Sequence, residues 1–165
     1  MDAYESLLKR RSIRDFNGRE VEQEKIDKII KAGLLAASGK NRQSAIILEV
    51  RDPKTREWLR KTNAEIGGFP EGFDPFYHAK VILVVLAKKD VNTHVYDGSL
   101  VMANLMQASY DLGLGSIWIH RAKEEFETEE GKELLKRLGI HGDYEGIGHC
   151  AISYTDHLDI PSHSI

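Results

Sequence analysis

The segment at residues 10–16, Arg-Arg-Ser-Ile-Arg-Asp-Phe, holds the side chains best suited to binding an anion. It follows a short helical pattern, and alternate side chains of an extended segment share a face. Arg10, Ser12 and Arg14 therefore lie on one side. Two guanidinium groups beside a hydroxyl suit a phosphate with a polyol attached, because Arg forms bidentate bonds to phosphate oxygens and Ser bonds sugar hydroxyls. A basic helix C-terminus, favoured by the helix dipole, is the alternative.

Other chemistries lack the spacing that they need. The glycines do not form a dinucleotide fingerprint or a P-loop, so a bound nucleotide would be held by side chains. The seven histidines show no metal-ligand spacing, and His149 and Cys150 point to opposite faces of a predicted strand. We expect no metal site. Cys150 is expected to be a small core residue and not a nucleophile.

Composition narrows the class of protein. The chain has 165 residues, 41% of them apolar and 30% charged, which favours one globular domain over 1–165. A net charge of −3 argues against a nucleic-acid partner. Neither a membrane-spanning run nor a signal peptide is visible, so we expect a cytoplasmic protein with no membrane partner.

The periodicity predicts alternating helices and strands, and hence an α/β (α+β) fold whose strand order the pattern does not decide. Strands are predicted at residues 46–50, 81–87, 115–120 and 147–154. Helices are predicted at about 2–9, 22–36, from Asp52-Pro53, from Asp97 to about 112, and from Thr128 to Gly139. The run at 81–87 is apolar throughout, which indicates a strand buried on both faces.

Six motifs, in this order and spacing, resemble the small members of the FMN-dependent nitroreductase family from about residue 4 to residue 154. They are RRSIRDF at 10–16, AASGKNRQS at 36–44, KTNAEIGGF around Asn63, DPFYHAK at 74–80, the stretch 97–126 with WIHRA, and GIGHCAISY at 146–154. The resemblance implies a nitroreductase-like sandwich with a mixed, mostly antiparallel central sheet flanked by helices. It also implies a homodimer with the long central helix in its interface and an FMN site shared between subunits.

The resemblance assigns roles to particular residues. Arg10 and Ser12 would hold the phosphate and ribityl chain of FMN, and Arg11 is also counted among the cofactor-binding residues. Ala37, Ser38, Gly39 and Asn41 would contact flavin from the partner subunit, and Asn63 would face its pyrimidine edge. Trp118, Ile119, His120 and Arg121 would offer backbone N–H groups to flavin N5 and the adjacent carbonyl, with Arg121 reaching the phosphate or a nicotinamide nucleotide. The alternatives are a helix-ending loop, a helix-terminal amide and an ordinary strand end.

The implied activity is oxidation of NADH or NADPH. Hydride passes to flavin N5 and then to a flat acceptor, such as a nitroaromatic or a quinone, by a ping-pong mechanism. No side chain is needed as a nucleophile. Arg14, or alternatively Lys40, would stabilise the negative charge of reduced flavin. The competing functions are a flavin-binding or storage protein with little turnover, and a homodimeric scaffold that has lost flavin.

Two regions leave alternatives open. The loop at 67–78 is rich in Gly, Pro and aromatic residues, and it either roofs a flat pocket or covers the core. The tail at 155–165 contains no Lys or Arg, whereas the family usually has a basic tail that completes the phosphate pocket. FMN therefore binds more weakly, or Arg10 and Arg121 suffice, or His157 or His163 substitutes. Ser44 stands where the family often has Pro.

Overall fold

The computed structural model describes residues 2–161 and places a four-stranded sheet between two layers of helices. The strands are β1 (Ala45–Val50), β2 (Val81–Lys88), β3 (Gly115–Ile119) and β4 (Tyr144–Ser153). The helices are α1 (Ala3–Lys9), α2 (Gln23–Leu34), α3 (Pro53–Gly67), α4 (His94–Asp111), α5 (Ala122–Glu127) and α6 (Glu129–Arg137), with a 3₁₀ turn at Gly39–Asn41.

The sheet has the order β1-β2-β4-β3, and every neighbouring pair is antiparallel. β2 is buried from Val81 to Ala87, so the prediction of a strand covered on both faces is confirmed. The segment before α2 adds one parallel bridge at the outer edge of β3, where Ile13 N–H donates to the Ser116 carbonyl over 3.0 Å. The predicted α/β fold with a mixed, mostly antiparallel sheet is thus confirmed.

Two apolar cores lie on opposite faces of the sheet. One packs α2 and α4 against Leu83, Val85 and Cys150, and the other packs α3, α5 and α6 against Ile82, Val84 and Ala151. Two predicted helix starts are confirmed by their caps. Asp52 accepts from Thr55 N–H at 2.8 Å, and Thr128 Oγ1 accepts from Gly131 N–H at 3.0 Å.

Two helix predictions need correction, and one short helix has no sequence prediction. The long helix begins at His94 and not at Asp97, which lies buried in its first turn and bonds another part of the chain. The second helix ends at Leu34 instead of Ala36. The six-residue α5 was not predicted, because it is too short to show a period and its C-cap, Thr128, is also the N-cap of α6.

Candidate functional site

The segment after α1 lies along the outer edge of β3 and separates its side chains into two faces. Ile13 is buried against Gly115, where an added Cβ would lie 3.0 Å from Ile13. Ser12 and Arg14 are exposed, as the alternation predicts. This arrangement places a hydroxyl and a guanidinium on the open side of the sheet edge.

Arg10 and Arg11 are half-buried beside that edge, with donor atoms left over. Arg11 Nη1 donates to the carbonyls of Leu8 and Arg10, at 2.9 and 2.6 Å. Arg10 Nη1 and Arg11 Nε are buried and have no hydrogen-bond partner within residues 2–161. Burial lowers the pKa of Arg10 below its ordinary value, and the charge of Arg11 acts in the same direction. A buried cation without a counter-ion is costly, so these two donors fit an anion such as a phosphate.

Cys150 lies on the opposite side of β4 from His149, as predicted. It belongs to the core beside α4, whereas His149 packs edge-on against Phe76 with ring centroids 5.0 Å apart. Burial raises the pKa of the Cys150 thiol to about 12. The thiol is therefore protonated at neutral pH and behaves as a core side chain.

The end of β3 carries the second group of predicted residues. Trp118 is half-buried, and its Nε1–H donates to His120 Nδ1 at 3.2 Å while the two rings stack. Gly148 on β4 makes room for this indole, since a Cβ there would lie 2.8 Å from it. Ile119 is buried, and the chain turns at Arg121 with a φ of +78°.

Asn63 lies behind this strand end and is fully buried. Its Nδ2 donates to the His120 carbonyl at 2.8 Å and to Glu125 Oε2 at 2.7 Å. Its Oδ1 accepts from Arg121 Nη1 at 3.3 Å. All of these partners belong to the chain itself, so a direct contact between Asn63 and a flavin stays a prediction.

Two residues in this region were missed by the sequence reasoning as members of a site. Glu125 and His149 are both fully buried, and His149 Nε2 lies 2.5 Å from Glu125 Oε1. His149 Nδ1 lies 2.8 Å from the Ile119 carbonyl, to which it donates. The available signal was a histidine inside an apolar strand, which must find polar partners when buried.

The loop at residues 37–41, predicted to contact flavin, lies away from the end of β3. It precedes β1, at the edge of the sheet opposite β3, and it is fastened to the start of α4. Gly39 N–H donates to Asp97 Oδ1 at 2.9 Å, and Ser38 Oγ accepts from Gln43 N–H at 3.0 Å. A cleft of about 200 Å³ lies beside the loop; it is lined in part by Ala37, Ser38, Gln43 and Asp97. Asn41 is exposed, with a φ of +54°.

The aromatic loop after α3 covers the core with one of its rings, and the alternative that it roofs a flat pocket stays a prediction. Phe76 is fully buried and covers the core. Phe69 and Phe73 are partly exposed, 4.9 Å apart between centroids, and the guanidinium of Arg121 lies 5.0 Å from the Phe69 ring. Asp74 anchors the loop by an ion pair with Arg56 at 3.0 Å. Phe69 and Phe73 thus stand beside the end of β3, while Phe76 is structural.

The tail runs back beside the segment that follows Arg14. His157 Nδ1 lies 2.5 Å from Asp15 Oδ2, and Asn17 Nδ2 donates to Asp156 Oδ1 at 2.9 Å. His157 therefore has an acidic neighbour, and its substitution for a missing Lys or Arg stays a prediction. His163 lies outside the described residues.

The remaining features of residues 2–161 add no further chemistry. They contain no group of three or more His, Cys, Asp or Glu side chains placed to hold a metal ion. None of the helices in this range combines the length and the apolar character needed to cross a membrane. Two clefts of about 660 and 510 Å³ lie around α6, far along the chain from the arginine segment.

Comparisons with known proteins agree with the fold. The family described as "Nitroreductase family" matches residues 7–69. A protein of Archaeoglobus fulgidus with the provisional name NADH dehydrogenase/NAD(P)H nitroreductase is 34% identical over 139 residues, 81% of this chain and 74% of its own length. A protein of the same name from Methanothermobacter thermautotrophicus is 32% identical over 126 residues, and the chain covers 60% of it. The crystal structure of a Bacteroides fragilis nitroreductase with bound FMN superposes with a TM-score of 0.87 at 20% identity, over 100% of this chain and 94% of that one.

Proposed function

The chain belongs to the nitroreductase family, and on that premise we propose that it is an FMN-dependent oxidoreductase that uses NADH or NADPH. The two relatives carry names that include NAD(P)H nitroreductase, and the Bacteroides fragilis neighbour holds FMN. These names support the cofactor and the reductant. We propose a flat acceptor, such as a nitroaromatic or a quinone, and a ping-pong order of reaction.

One observation carries the proposal. Arg10 and Arg11 present buried guanidinium donors without partners beside the edge of β3. The phosphate of FMN would supply both the missing hydrogen-bond acceptors and the missing counter-charge. The exposed hydroxyl of Ser12 lies next in the chain, where it suits the ribityl chain.

When bound, FMN supplies the transfer of hydride at its N5. This chain supplies the binding groups and the charge. The backbone N–H groups of His120 and Arg121 donate to no other group within residues 2–161 and are available to a ligand. Arg14 brings a positive charge to the same edge of the sheet, and a cation there favours a ligand that gains negative charge.

We also propose a homodimer. The loop at 37–41 lies at the opposite edge of the sheet from Arg10. The predicted residues of the loop and those of the arginine segment therefore meet only if a second copy of the chain brings its loop to the arginine segment of the first. Apolar side chains next to that loop and on α4 are exposed, namely Leu34, Leu35, Tyr96 and Leu100. Exposed apolar groups of this size typically mark a protein interface.

A flavin-binding protein with little turnover is the second candidate. The tail favours it, because the described residues 155–161 include Asp156 and Asp159 but no Lys or Arg. The absence of one charge-assisted contact weakens binding by roughly 1.5–3 kcal/mol. This candidate predicts bound FMN without faster oxidation of nicotinamide.

A visible absorption titration tests the proposal. The purified protein is mixed with FMN and then, without oxygen, with NADH or NADPH. Flavin bands that bleach on addition of nicotinamide support the oxidoreductase, and bands that persist support the storage protein. If the protein takes up no FMN even with the cofactor in excess, both candidates are wrong.

A further inference from the structure

We propose that His149, Glu125 and Asn63 form a buried positioning network that holds and polarises the two peptide groups on either side of His120. The three side chains are fully buried. His149 contacts the Ile119 carbonyl, Asn63 contacts the His120 carbonyl, and Glu125 joins His149 to Asn63. The inference rests on the proposed function: if FMN binds at the end of β3 as proposed, these peptide groups face its reducible edge. It gives Asn63 a role through the backbone, in place of direct contact with the cofactor.

The first link joins His149 to the peptide between Ile119 and His120. His149 Nδ1 lies 2.8 Å from the Ile119 carbonyl, which has no proton to give, so Nδ1 carries the hydrogen and donates it. The other ring nitrogen, Nε2, lies 2.5 Å from Glu125 Oε1, and one proton lies between them. The pair therefore has no net charge, whichever atom carries that proton, and this is how two ionisable groups can be buried together.

The second link joins Glu125 to the next peptide. Glu125 Oε2 accepts from Asn63 Nδ2 at 2.7 Å, and Asn63 Nδ2 also donates to the His120 carbonyl at 2.8 Å. Both acceptors therefore hold the same amide group in one orientation. Arg121 Nη1 donates to Asn63 Oδ1 at 3.3 Å and closes the arrangement from the outer side.

The consequence follows from the geometry of a trans peptide. Its carbonyl and its N–H point in opposite directions, so a donor behind the carbonyl leaves the N–H facing away from the network. Hydrogen bonds in a chain also polarise one another, which makes that N–H a stronger donor. His149 thus acts on the N–H of His120, and Asn63 acts on the N–H of Arg121. Neither N–H donates to another group in the described part of the chain.

The test compares the affinities of the protein for oxidised and reduced FMN. Glu125→Gln keeps the shape, because its amide oxygen still accepts from Asn63 while its N–H₂ donates to His149 Nε2. Reduction places negative charge on the cofactor, so a weaker donor disfavours the reduced form. We expect oxidised FMN to bind within about threefold of the native affinity. We expect the ratio of reduced to oxidised affinity to fall about tenfold, or about 30 mV for a two-electron couple.

Two further variants make the result decisive. Asn63→Leu removes the donor to the His120 carbonyl and should lower the same ratio. Asp74→Asn is the matched control, since this substitution also changes a buried carboxylate to an amide. The native Asp74 carboxylate accepts from the N–H groups of Phe76 and His78 and does not contact the peptide groups on either side of His120. The control should lower stability and leave the ratio unchanged.

Several outcomes would overturn the inference. Equal losses of affinity for the two redox forms would mean a purely structural role, and an equal shift in Asp74→Asn would mean general loosening. If the variants fail to fold, the native protein decides, since the Nδ1–H proton of His149 and the proton between His149 Nε2 and Glu125 Oε1 should both appear as slowly exchanging NMR signals, and their absence refutes the network. Native protein that binds no FMN refutes the proposed function, whereas native protein that binds FMN with unresponsive variants refutes only this inference.

Discussion

The carboxylate of Asp97 fastens the loop before β1 by accepting from Gly39 N–H at 2.9 Å and from Ser44 Oγ at 2.6 Å. Asp97 lies in the first turn of α4, so one buried side chain connects the start of the longest helix to a loop that precedes it by more than fifty residues. A Cβ at residue 39 would lie 2.4 Å from Thr93 Oγ1, which explains why Gly39 occupies this close approach.

Replacing Asp97 by Asn should destabilise the protein and change its response to acid. Burial by itself would raise the pKa of Asp97, but hydrogen bonds from Ser44, Gly39 and Thr93 hold that pKa below its ordinary value. A lowered carboxyl pKa stabilises the fold above the unfolded-state pKa, and the contribution disappears as the pH falls through the folded-state pKa. At pH 7 we expect a loss of about 1–3 kcal/mol in unfolding free energy.

Urea denaturation of the native protein and Asp97→Asn across the acid range measures this effect. The difference in unfolding free energy should be constant near neutral pH and should shrink below about pH 4. Ser99→Ala serves as the control, since Ser99 is a half-buried residue of the same helix whose hydroxyl bonds only the Val95 carbonyl of that helix, and it should show no such trend. A difference that persists unchanged at low pH would contradict the role given to the carboxylate.

Replacing Arg10 by Met should have opposite effects on folding and on cofactor binding. Met replaces the apolar stem of the half-buried side chain and removes a charge that has no counter-ion in the described residues, so the flavin-free protein should be equally stable or slightly more stable. FMN loses a charge-assisted contact, so its dissociation constant should rise about 10- to 100-fold.

Thermal denaturation of the flavin-free protein and fluorescence titration with FMN give the two readouts for Arg10→Met. Arg51→Met is the matched control, because half-buried Arg51 follows β1 at the opposite edge of the sheet and bonds Gln23 and the Val21 carbonyl, and it should not affect FMN binding. A loss of stability in Arg10→Met with unchanged FMN affinity would show that the arginine is structural.

Local signals made part of this structure readable from the sequence. Asp52-Pro53 and Thr128 mark helix starts because capping involves a residue and its neighbours three positions on. The apolar run of β2 and the alternation of Ser12, Ile13 and Arg14 were equally local. The placement of the arginines at a sheet edge became visible only with the bridge between Ser12 and Ser116.

Contacts between distant residues could not be read in this way. Asp97 looked like a helix cap because its partners, Gly39 and Ser44, lie 58 and 53 residues away. His149 was assigned to a strand correctly, but Glu125 lies on a helix too short to be recognised. The strand order determines which of these side chains meet, and no single-sequence pattern contains that order.

Adding a methyl group at Gly148 should displace Trp118. A Cβ at this position would lie 2.8 Å from the indole, closer than van der Waals contact allows. We expect Gly148→Ala to lower stability by about 1–3 kcal/mol through overpacking. Trp118→Phe in the same chain should relieve part of that loss, since the smaller ring leaves room, and the coupling of the two substitutions is measured by a double-mutant cycle of urea unfolding. Additive losses would show that the two residues do not press on each other.

Replacing Arg14 by Ala should weaken FMN binding in a salt-dependent way. Arg14 is exposed beside the half-buried arginines, so its contribution is screened by water and ions. We expect the dissociation constant to rise about three- to tenfold at low salt, with a smaller ratio at high salt. Reduced FMN should lose more affinity than oxidised FMN, because the negative charge that Arg14 stabilises appears on reduction. Lys40→Ala is the companion variant, since Lys40 is the alternative cation. If Lys40→Ala changes the preference for the reduced form and Arg14→Ala does not, the role belongs to the loop of the partner subunit.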